Sequence, residues 1–195
     1  MCMPDWDERY GRGDYSSAEP SQLLRRAVTT LTPGLALDLA CGVGRHAIFL
    51  AGLGWQVTAV DSSRTGIEIM KRRAAEAGAT ITSRIDAHIA DLERGEFPIA
   101  TESYDLICDF YYLQRNLFPQ LRAGVKRGGT FVGSIHLVGN DPAEETRNPA
   151  FLLEPGELRA EFRGWEITHY HETQMNDDDP GKHHYRSAEI IATKK

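Results

Sequence analysis

An apolar segment runs directly into a pair of glycines, and this junction constrains the fold more than any other feature of the chain. Residues 35–39 have the length and composition of a buried strand, and Gly42 and Gly44 follow closely. Glycine has no Cβ, so the loop can turn tightly and its backbone can approach a ligand. Residues 45–53 then carry helical spacing and lead to a second strand that ends at Asp61. The pattern predicts a βαβ unit whose helix N-terminus faces the loop.

The same alternation of strand-like and helix-like segments continues to the end of the chain. Predicted helices cover residues 20–31, 45–53, 63–77, 111–124 and 155–163. Predicted strands cover residues 35–39, 56–60, 85–89, 104–108, 130–138, 165–172 and 184–193, of which the last two form a hairpin. Because parallel crossovers are right-handed, the predicted fold class is α/β, a doubly wound Rossmann-like sheet. We expect seven mostly parallel strands, helices on both faces and an antiparallel C-terminal hairpin strand.

Composition and charge indicate which kinds of ligand the protein binds and in which cellular compartment it works. The chain has 195 residues and a formal net charge of −6, which gives no overall attraction to the phosphates of long nucleic acid. Its cysteines, Cys2, Cys41 and Cys108, lack C-x-x-C spacing, so we predict neither a disulfide framework nor a thiolate zinc site. The N-terminus lacks the apolar core of a signal peptide, and no apolar run approaches about 18 residues. We therefore expect a cytoplasmic protein, away from membranes, that binds a small molecule.

Acidic residues stand where the predicted strands end, which is the edge at which doubly wound sheets bind ligands. Asp61 follows the second strand, and a carboxylate there can accept hydrogen bonds from both hydroxyls of a ribose. Asp91 follows the third strand in the same way. The spacing Gly42-x-Gly44-x-x-Ala47 also satisfies the dinucleotide fingerprint G-x-G-x-x-G/A. These residues imply a ligand that contains adenosine, and by themselves they allow a nicotinamide cofactor.

One segment carries a specific family resemblance. It is Leu-Asp-Leu-Ala-Cys-Gly-Val-Gly over residues 37–44, and it resembles motif I of the class I S-adenosylmethionine-dependent methyltransferases, with Ala40 in place of the usual first glycine. The resemblance to that superfamily continues through residues 60–62, 90–92, 104–107 and 126–129. The segments that are similar to its tellurite-resistance branch are residues 6–10, 44–47, 155–158, 164–166 and 186–195. Residues 175–180 depart from the pattern of that branch.

The resemblance implies one class I methyltransferase domain over residues 1–195 with a defined cofactor. Residues 1–34 would form an N-terminal cap segment and helix, residues 35–138 the cofactor-binding core, and residues 139–195 a substrate-side helix and hairpin. The implied cofactor is S-adenosyl-L-methionine, with S-adenosyl-L-homocysteine as its product. The implied cofactor-binding residues are Asp38, Ala40, Cys41, Gly42, Gly44, Arg45, Asp61, Ser62, Asp91, Leu92, Asp109, Phe110, Trp6 and Tyr10.

Several of these residues have separate expected roles. The resemblance assigns residues 40–44 to the methionine moiety, Asp61 to the ribose, Asp91 and Leu92 to the adenine edge, and Asp109 and Phe110 to the floor. Asp38 ends an otherwise apolar strand, and a buried carboxylate is costly unless a donor such as the ligand's ammonium, or water, satisfies it. Trp6 and Tyr10 offer aromatic faces to a sulfonium, although both could instead pin the N-terminus to the core. Ser62 is predicted to cap the helix after Asp61.

The methyl acceptor is expected to be a small nucleophile, with oxyanions of tellurium or selenium among the candidates. An anionic acceptor would need cations, so we predict Arg186, His184 and Arg115 as catalytic residues. Arg186 lies on the predicted last strand and resembles an arginine of the tellurite branch. No metal site is predicted, because the spacing of His169 and His171 on the hairpin fixes no ligand set.

Three other functions remain alternatives. A nicotinamide-dependent oxidoreductase would use the same glycine loop, although Asp38 and Asp91 oppose it. A non-catalytic sensor would bind S-adenosylmethionine or its demethylated product, since the sequence shows no indispensable catalytic base. A nucleic-acid methyltransferase is disfavoured by the acidic charge balance and by the lack of a basic, aromatic-rich extension.

Overall fold

The computed structural model describes residues 5–13, 18–138, 148–173 and 186–195 and contains one seven-stranded sheet. Its strands are β1 (Leu35–Leu39), β2 (Gln56–Asp61), β3 (Ile85–Ile89), β4 (Tyr104–Phe110), β5 (Val125–His136), β6 (Glu166–Glu172) and β7 (Ser187–Thr193). They lie in the order β3-β2-β1-β4-β5-β7-β6. β7 is antiparallel to both of its neighbours, and the other strand pairs are parallel. The predicted doubly wound, mostly parallel α/β fold is confirmed.

Helices pack on both faces of this sheet. They are α1 (Trp6–Gly11), α2 (Gln22–Val28), α3 (Arg45–Gly52), α4 (Arg64–Ala77), α5 (Ala79–Thr82), α6 (Phe118–Gly124) and α7 (Glu157–Glu161), with 3₁₀ turns at Arg115–Leu117 and Pro149–Phe151. Successive residues of β1 fall in different buried clusters, Ala36 with α2, α3 and α4, and Leu37 with α6 and α7. Within the described part of the chain, none of the helices combines the length and apolar character needed to cross a membrane.

The segment after β4 differs most from the prediction. The sequence predicts a helix over residues 111–124, but residues 111–114 are irregular and α6 begins only at Phe118. The cause is Tyr111, whose N–H donates to the carbonyl of Ser134 at 2.7 Å and so extends the pairing of β4 with β5. Tyr111 also has a φ of +66°, in the left-handed region where a right-handed helix cannot begin. The predicted start of this helix was wrong.

The other changes are smaller and concern the ends of elements. β5 begins at Val125, which pairs with Tyr104, rather than at residue 130. α7 is shorter than predicted at both ends, and it begins only at Glu157 because Gly156 takes a left-handed φ of 80° immediately before it. The hairpin of β6 and β7 is confirmed over the described residues. Residues 184–185, predicted to belong to the last strand, lie outside the described residues.

The topology brings the ends of five parallel strands and the helix α1 to one edge. The strand order reverses between β1 and β4, and ligands of doubly wound sheets bind at such a switch point. Helix α1 is fixed there by Asp7, whose Oδ1 accepts hydrogen bonds from Ser63 Oγ at 2.5 Å and from the N–H of Thr65 at 2.8 Å. The N-terminal helix therefore packs against the start of α4, beside the glycine loop.

Candidate active site

The glycine loop is a tight turn between β1 and α3. Ala40, Gly42 and Gly44 have positive φ angles of 47°, 54° and 76°. The N–H of Cys41 donates to the carbonyl of Val60 at 3.0 Å, which fixes the loop to β2. Gly44 caps α3 without a side chain, so no capping hydroxyl or carboxylate stands between the loop and the helix N-terminus. The loop presents backbone rather than side chains at this edge of the sheet.

Asp61 holds the loop from the end of β2. Its Oδ2 accepts the N–H of Gly42 at 2.7 Å, and its Oδ1 accepts the N–H of Ser63 at 2.8 Å. Burial raises the pKa of Asp61, although both hydrogen bonds act in the opposite direction. A carboxylate oxygen has two lone pairs, so each oxygen can accept a further hydrogen bond. Ser62 beside it is exposed, and Ser63 rather than the predicted Ser62 caps α4, through the N–H of Gly66 at 2.9 Å.

Asp38 is buried at the end of β1 with one oxygen unsatisfied. The residue is 1% exposed, and its Oδ2 has no hydrogen-bond partner among the described residues. Burial raises the pKa of Asp38 to about 7, while a hydrogen bond from the backbone of Ala47 opposes the shift. An unsatisfied buried polar group costs about 1 to 3 kcal/mol, more if it is charged. Oδ2 is therefore suited to a cationic hydrogen-bond donor, such as an ammonium group.

His46 is a residue of this site that the sequence analysis missed. It is 4% exposed, its Nε2 accepts the N–H of Ser21 at 3.3 Å, and its Nδ1 lies 3.9 Å from Asp38 Oδ1. The imidazole ring packs on Phe110 with centroids 4.1 Å apart. Burial and the positive charge of Arg45 lower the pKa of His46 to about 3, so the ring is neutral at pH 7. The sequence signal was its place in the first turn of the helix after the glycine loop.

The end of β4 contributes Asp109, Phe110 and Tyr111. Asp109 is buried, its Oδ1 has no partner among the described residues, and burial raises the pKa of Asp109 well above its usual value. Tyr111 is half-exposed, and its ring stacks on His136 with centroids 4.9 Å apart. The guanidinium carbon of Arg45 lies 5.8 Å from the centroid of the same ring. A half-exposed aromatic ring thus contacts both His136 and the guanidinium of Arg45.

Asp91 and Leu92 follow β3. The Oδ1 of Asp91 accepts the N–H groups of Glu93 at 2.9 Å and Arg94 at 3.3 Å, and its Oδ2 lies 3.2 Å from the Nε of Arg94. Its own N–H donates to the carboxylate of Glu96 at 2.9 Å. Asp91 therefore organises its own turn, while Leu92 is buried.

Tyr10 covers the glycine loop from the N-terminal side. A Cβ built on Gly42 would lie 2.7 Å from Tyr10 Oη, and one built on Gly66 would lie 3.0 Å from the ring. Burial raises the pKa of Tyr10, so the phenol stays protonated at neutral pH. Trp6 stacks on Tyr10 with centroids 5.6 Å apart and is 38% exposed. Tyr10 contacts the loop directly, and Trp6 forms an outer layer over it.

Arg115, one of the predicted catalytic residues, lies in a network of hydrogen bonds before α7. Its Nε and Nη2 donate to the two carboxylate oxygens of Glu157 at 2.6 and 2.9 Å. Its Nη1 and Nη2 also donate to the carbonyls of Ala150 and Leu152 at 3.0 and 2.8 Å. Four of the five N–H donors of a guanidinium are used in this way. Arg115 therefore anchors the segment before α7, and its predicted catalytic role stays a prediction.

The other two predicted catalytic residues are Arg186 and His184. Arg186 directly precedes β7, and because Ser187 pairs with His136 it lies beside the carboxyl end of β5. Its Nη1 donates to the carbonyl of Val138 at 3.2 Å. His184 lies outside the described residues.

Cys41 and Cys108 are buried free thiols. Burial raises the pKa of both well above the usual value of a thiol, so neither is a thiolate at neutral pH. In the ranges that the structure describes, no three His, Cys, Asp or Glu side chains converge to hold a metal ion. What the described site offers is a backbone cradle, buried carboxylates and aromatic rings.

A family model described as tellurite resistance protein TehB matches residues 6–184 of the chain. The chain belongs to the TehB family. The resemblance to the tellurite-resistance branch of the class I methyltransferases is thereby confirmed. The probable S-adenosyl-L-methionine-dependent methyltransferase TehB of Haemophilus influenzae (strain ATCC 51907 / DSM 11121 / KW20 / Rd) is 24% identical over 180 residues, which are 87% of this chain and 60% of that protein. This TehB family chain therefore spans about 60% of the length of that relative.

Solved structures agree with the family assignment at the level of the fold. The crystal structure of TehB from Haemophilus influenzae matches with a TM-score of 0.73 and 21% identity, and the match covers 97% of this chain and 67% of that one. The glycopeptide N-methyltransferase MtfA complexed with (S)-adenosyl-L-methionine matches with a TM-score of 0.59 and 20% identity, over 88% of this chain and 92% of that one. The seven-stranded sheet of the TehB family chain is thus a fold that methyltransferases use.

Proposed function

We propose that this chain is an S-adenosyl-L-methionine-dependent methyltransferase that acts on a small molecule. The observation that carries the proposal is Asp38, a buried carboxylate beside the glycine loop whose Oδ2 has no partner among the described residues. The cofactor's ammonium group would satisfy this oxygen, whereas a nicotinamide enzyme would usually have an apolar residue there. The named activity of the Haemophilus TehB relative and the cofactor in the MtfA complex support the same choice.

The residues around Asp38 fit the remaining parts of such a cofactor. Asp61 would accept hydrogen bonds from the ribose hydroxyls with the lone pairs that Gly42 and Ser63 leave free. The loop backbone would hold the methionine moiety, and Leu92 gives an apolar wall beyond β3 for the adenine. Tyr10 would close the site over the loop and keep water away from it.

Methyl transfer needs little covalent chemistry from the protein. Bound S-adenosylmethionine supplies an electrophilic methyl group on its sulfonium. The chain's part is to hold the donor and align an acceptor in line with it, and orientation of this kind can supply roughly 7 to 11 kcal/mol. His46 is neutral and the phenol of Tyr10 is protonated, so neither residue would add positive charge to the cofactor site.

We further propose that the acceptor is an anion, with oxyanions of tellurium or selenium as the first compounds to test. Arg45 and Arg186 bring positive charge to the carboxyl edge of the sheet, and Tyr111 stands beside Arg45. The acceptor would approach from the side of residues 139–195, with residues 1–34 as the cap over the cofactor. An anionic acceptor is already a nucleophile, so a general base would not be required.

The proposal is tested by turnover with methyl-labelled S-adenosylmethionine. Purified protein is incubated with the labelled cofactor and with tellurite, selenite, thiols, amines or carboxylates, while labelled product and S-adenosylhomocysteine are quantified together. We expect both to form in equal amounts with at least one anionic acceptor. Tight cofactor binding with no transfer to any acceptor class would favour the sensor alternative.

Arg186→Ala is expected to lower turnover with an anionic acceptor by about tenfold, because one cation at the acceptor side is lost. The affinity for S-adenosylmethionine should change by less than about twofold, since the hydrogen bonds of Arg186 within the described residues go to the carbonyls of Val138 and Thr173. Steady-state kinetics with anionic and neutral acceptors, together with calorimetry, measure both quantities. Unchanged turnover with the anionic acceptor would remove Arg186 from the mechanism.

Gly42→Ala is expected to weaken S-adenosylmethionine binding by about tenfold or more, because the new Cβ would meet Tyr10 Oη and displace that ring. Gly128→Ala is the matched control: Gly128 also has a positive φ, of 77°, but a Cβ there meets nothing within 4 Å. Both variants should lose about 1 to 2 kcal/mol of stability from backbone strain. Only the first should lose affinity, and equal affinities in the two variants would contradict the role of Tyr10.

A further inference from the structure

The protonation of His46 follows from its hydrogen bonds. Its Nε2 lies 3.3 Å from the backbone nitrogen of Ser21, and a backbone N–H can only donate. Nε2 must therefore be the bare, accepting nitrogen. In a neutral imidazole the proton is then on Nδ1. The low pKa of His46 agrees with this single neutral tautomer.

The proton on Nδ1 faces the buried carboxylate of the site. Nδ1 lies 3.9 Å from Asp38 Oδ1, which is longer than a direct hydrogen bond, and both residues are buried, at 4% and 1% exposed. The ring of Phe110 packs on the imidazole, with centroids 4.1 Å apart, and so restricts its rotation. The N–H dipole acts on Oδ1, and Oδ2 is the oxygen that has no described partner.

We propose that His46, as its neutral Nδ1–H tautomer, is a positioning residue that orients Asp38 so that Oδ2 meets the ammonium group of the cofactor. This inference rests on the proposed function. It also assigns a role to Ser21, the N-cap of α2, because the N–H of Ser21 selects the tautomer. The start of α2 is thereby coupled to the cofactor site through one imidazole ring.

Two substitutions of His46 distinguish the role of Nδ1 from the role of Nε2. In His46→Asn the side-chain N–H₂ lies close to the position of Nδ1, so the donor toward Asp38 is kept and the acceptor for Ser21 is lost. In His46→Gln the longer amide can accept the N–H of Ser21 near the position of Nε2, and the donor toward Asp38 is lost. Glutamine is the better helix former of the two, so a purely structural role predicts that the glutamine variant is the less damaged.

We expect the opposite order for cofactor binding. His46→Asn should bind S-adenosylhomocysteine within about threefold of the wild type, and His46→Gln should bind it about tenfold more weakly, since a charged hydrogen-bond acceptor loses its alignment. With the analogue of S-adenosylhomocysteine that lacks the amino group, the two variants should bind equally, because Asp38 then has no ammonium to meet. Calorimetry gives all of these affinities, and thermal unfolding gives the stabilities.

A second readout is independent of affinity. Nitrogen-15 NMR of the histidine rings in the wild-type complex with S-adenosylhomocysteine should show His46 protonated on Nδ1, assigned by its absence in His46→Gln. Protonation on Nε2 would overturn the inference. So would affinities that follow the stabilities of the variants, or a difference that persists with the deaminated analogue. Failure of the wild type to bind S-adenosylhomocysteine would instead overturn the proposed function, and the positioning role with it.

Discussion

An Asp38→Asn variant is expected to bind S-adenosylmethionine about 10- to 100-fold more weakly than the wild type, because a charge-assisted hydrogen bond to the cofactor is lost. The same variant should gain stability relative to the wild type as the pH rises from about 5 to about 8. Both effects have one cause, the burial of the Asp38 carboxyl group, whose Oδ2 lacks a partner among the described residues. Without a ligand, the folded protein would therefore carry the free-energy cost of an unsatisfied buried carboxylate.

The sign of the pH effect follows from the pKa of Asp38. Its value rises from 3.8 to about 7 on folding because the carboxyl is buried. The folded protein therefore holds this proton more tightly, and the stability it gives is complete below about pH 4 and lost as the pH rises to about 7. At about 1.4 kcal/mol for each pH unit, the wild type should lose roughly 2 to 3 kcal/mol relative to the variant between pH 5 and pH 8. Urea unfolding at both pH values measures this difference.

Asp105, on the neighbouring strand β4, provides a control because its pKa is shifted in the opposite direction from that of Asp38. Burial raises the pKa of Asp105, but the N–H of Leu35 and the ammonium of Lys126 outweigh burial and hold it below the usual value. Its stabilising contribution is lost only as the pH falls below about 4, so the gap between Asp105→Asn and the wild type should stay constant from about pH 5 to about pH 8. A constant gap for Asp38→Asn as well would contradict the proposed state of Asp38.

Asp61→Ala is expected to reduce the affinity for both S-adenosylmethionine and S-adenosylhomocysteine by more than about 100-fold. Two charge-assisted hydrogen bonds to the ribose, worth about 1.5 to 3 kcal/mol each, would be lost. The N–H groups of Gly42 and Ser63 would also lose their acceptor, which loosens the glycine loop and the start of α4. Calorimetric titration of the wild type and the variant with both ligands measures the loss.

Asp61→Asn tests whether the charge or the tether matters. Asparagine keeps one acceptor oxygen, so it can hold the N–H of Gly42 or that of Ser63, while its N–H₂ group faces the other donor. It should therefore recover only part of the stability and part of the affinity that Asp61→Ala loses. Thermal unfolding shows whether the loop is intact in each variant. An Asp61→Ala protein that folds and binds both ligands like the wild type would exclude Asp61 from the site.

The succession of strands and helices along the chain, and with it the doubly wound fold class, could be predicted because the strands end in local signals. Gly42 and Gly44 end β1, Asp61 ends β2, and the right-handed crossover rule then leaves few topologies. The hairpin could be predicted because two strand-like segments, residues 165–172 and 184–193, follow each other across a short acidic stretch of sequence. The cluster of Asp38 and Asp61 at one edge followed from the topology, since parallel strands share their carboxyl edge.

Features that depend on distant contacts could not be predicted. Nothing in the sequence marks Tyr111 for a left-handed φ, because the cause is its hydrogen bond to Ser134 on the next strand. The sequence shows that Arg115 is positively charged but not which group it pairs with. Its ion pair with Glu157 depends on how the segment before α7 packs. His46 has the spacing of a helix face, and its burial against Asp38 required the three-dimensional arrangement.

The measurement that tests the central claim most directly is a calorimetric titration of the purified protein with S-adenosylmethionine, S-adenosylhomocysteine and NADH, with Asp61→Ala in parallel. We expect the first two ligands to bind to the wild type with micromolar affinity, the variant to lose that binding, and NADH to give no signal. Binding of NADH alone, or equal binding of S-adenosylmethionine to the wild type and the variant, would contradict the assignment of this site to a methyltransferase.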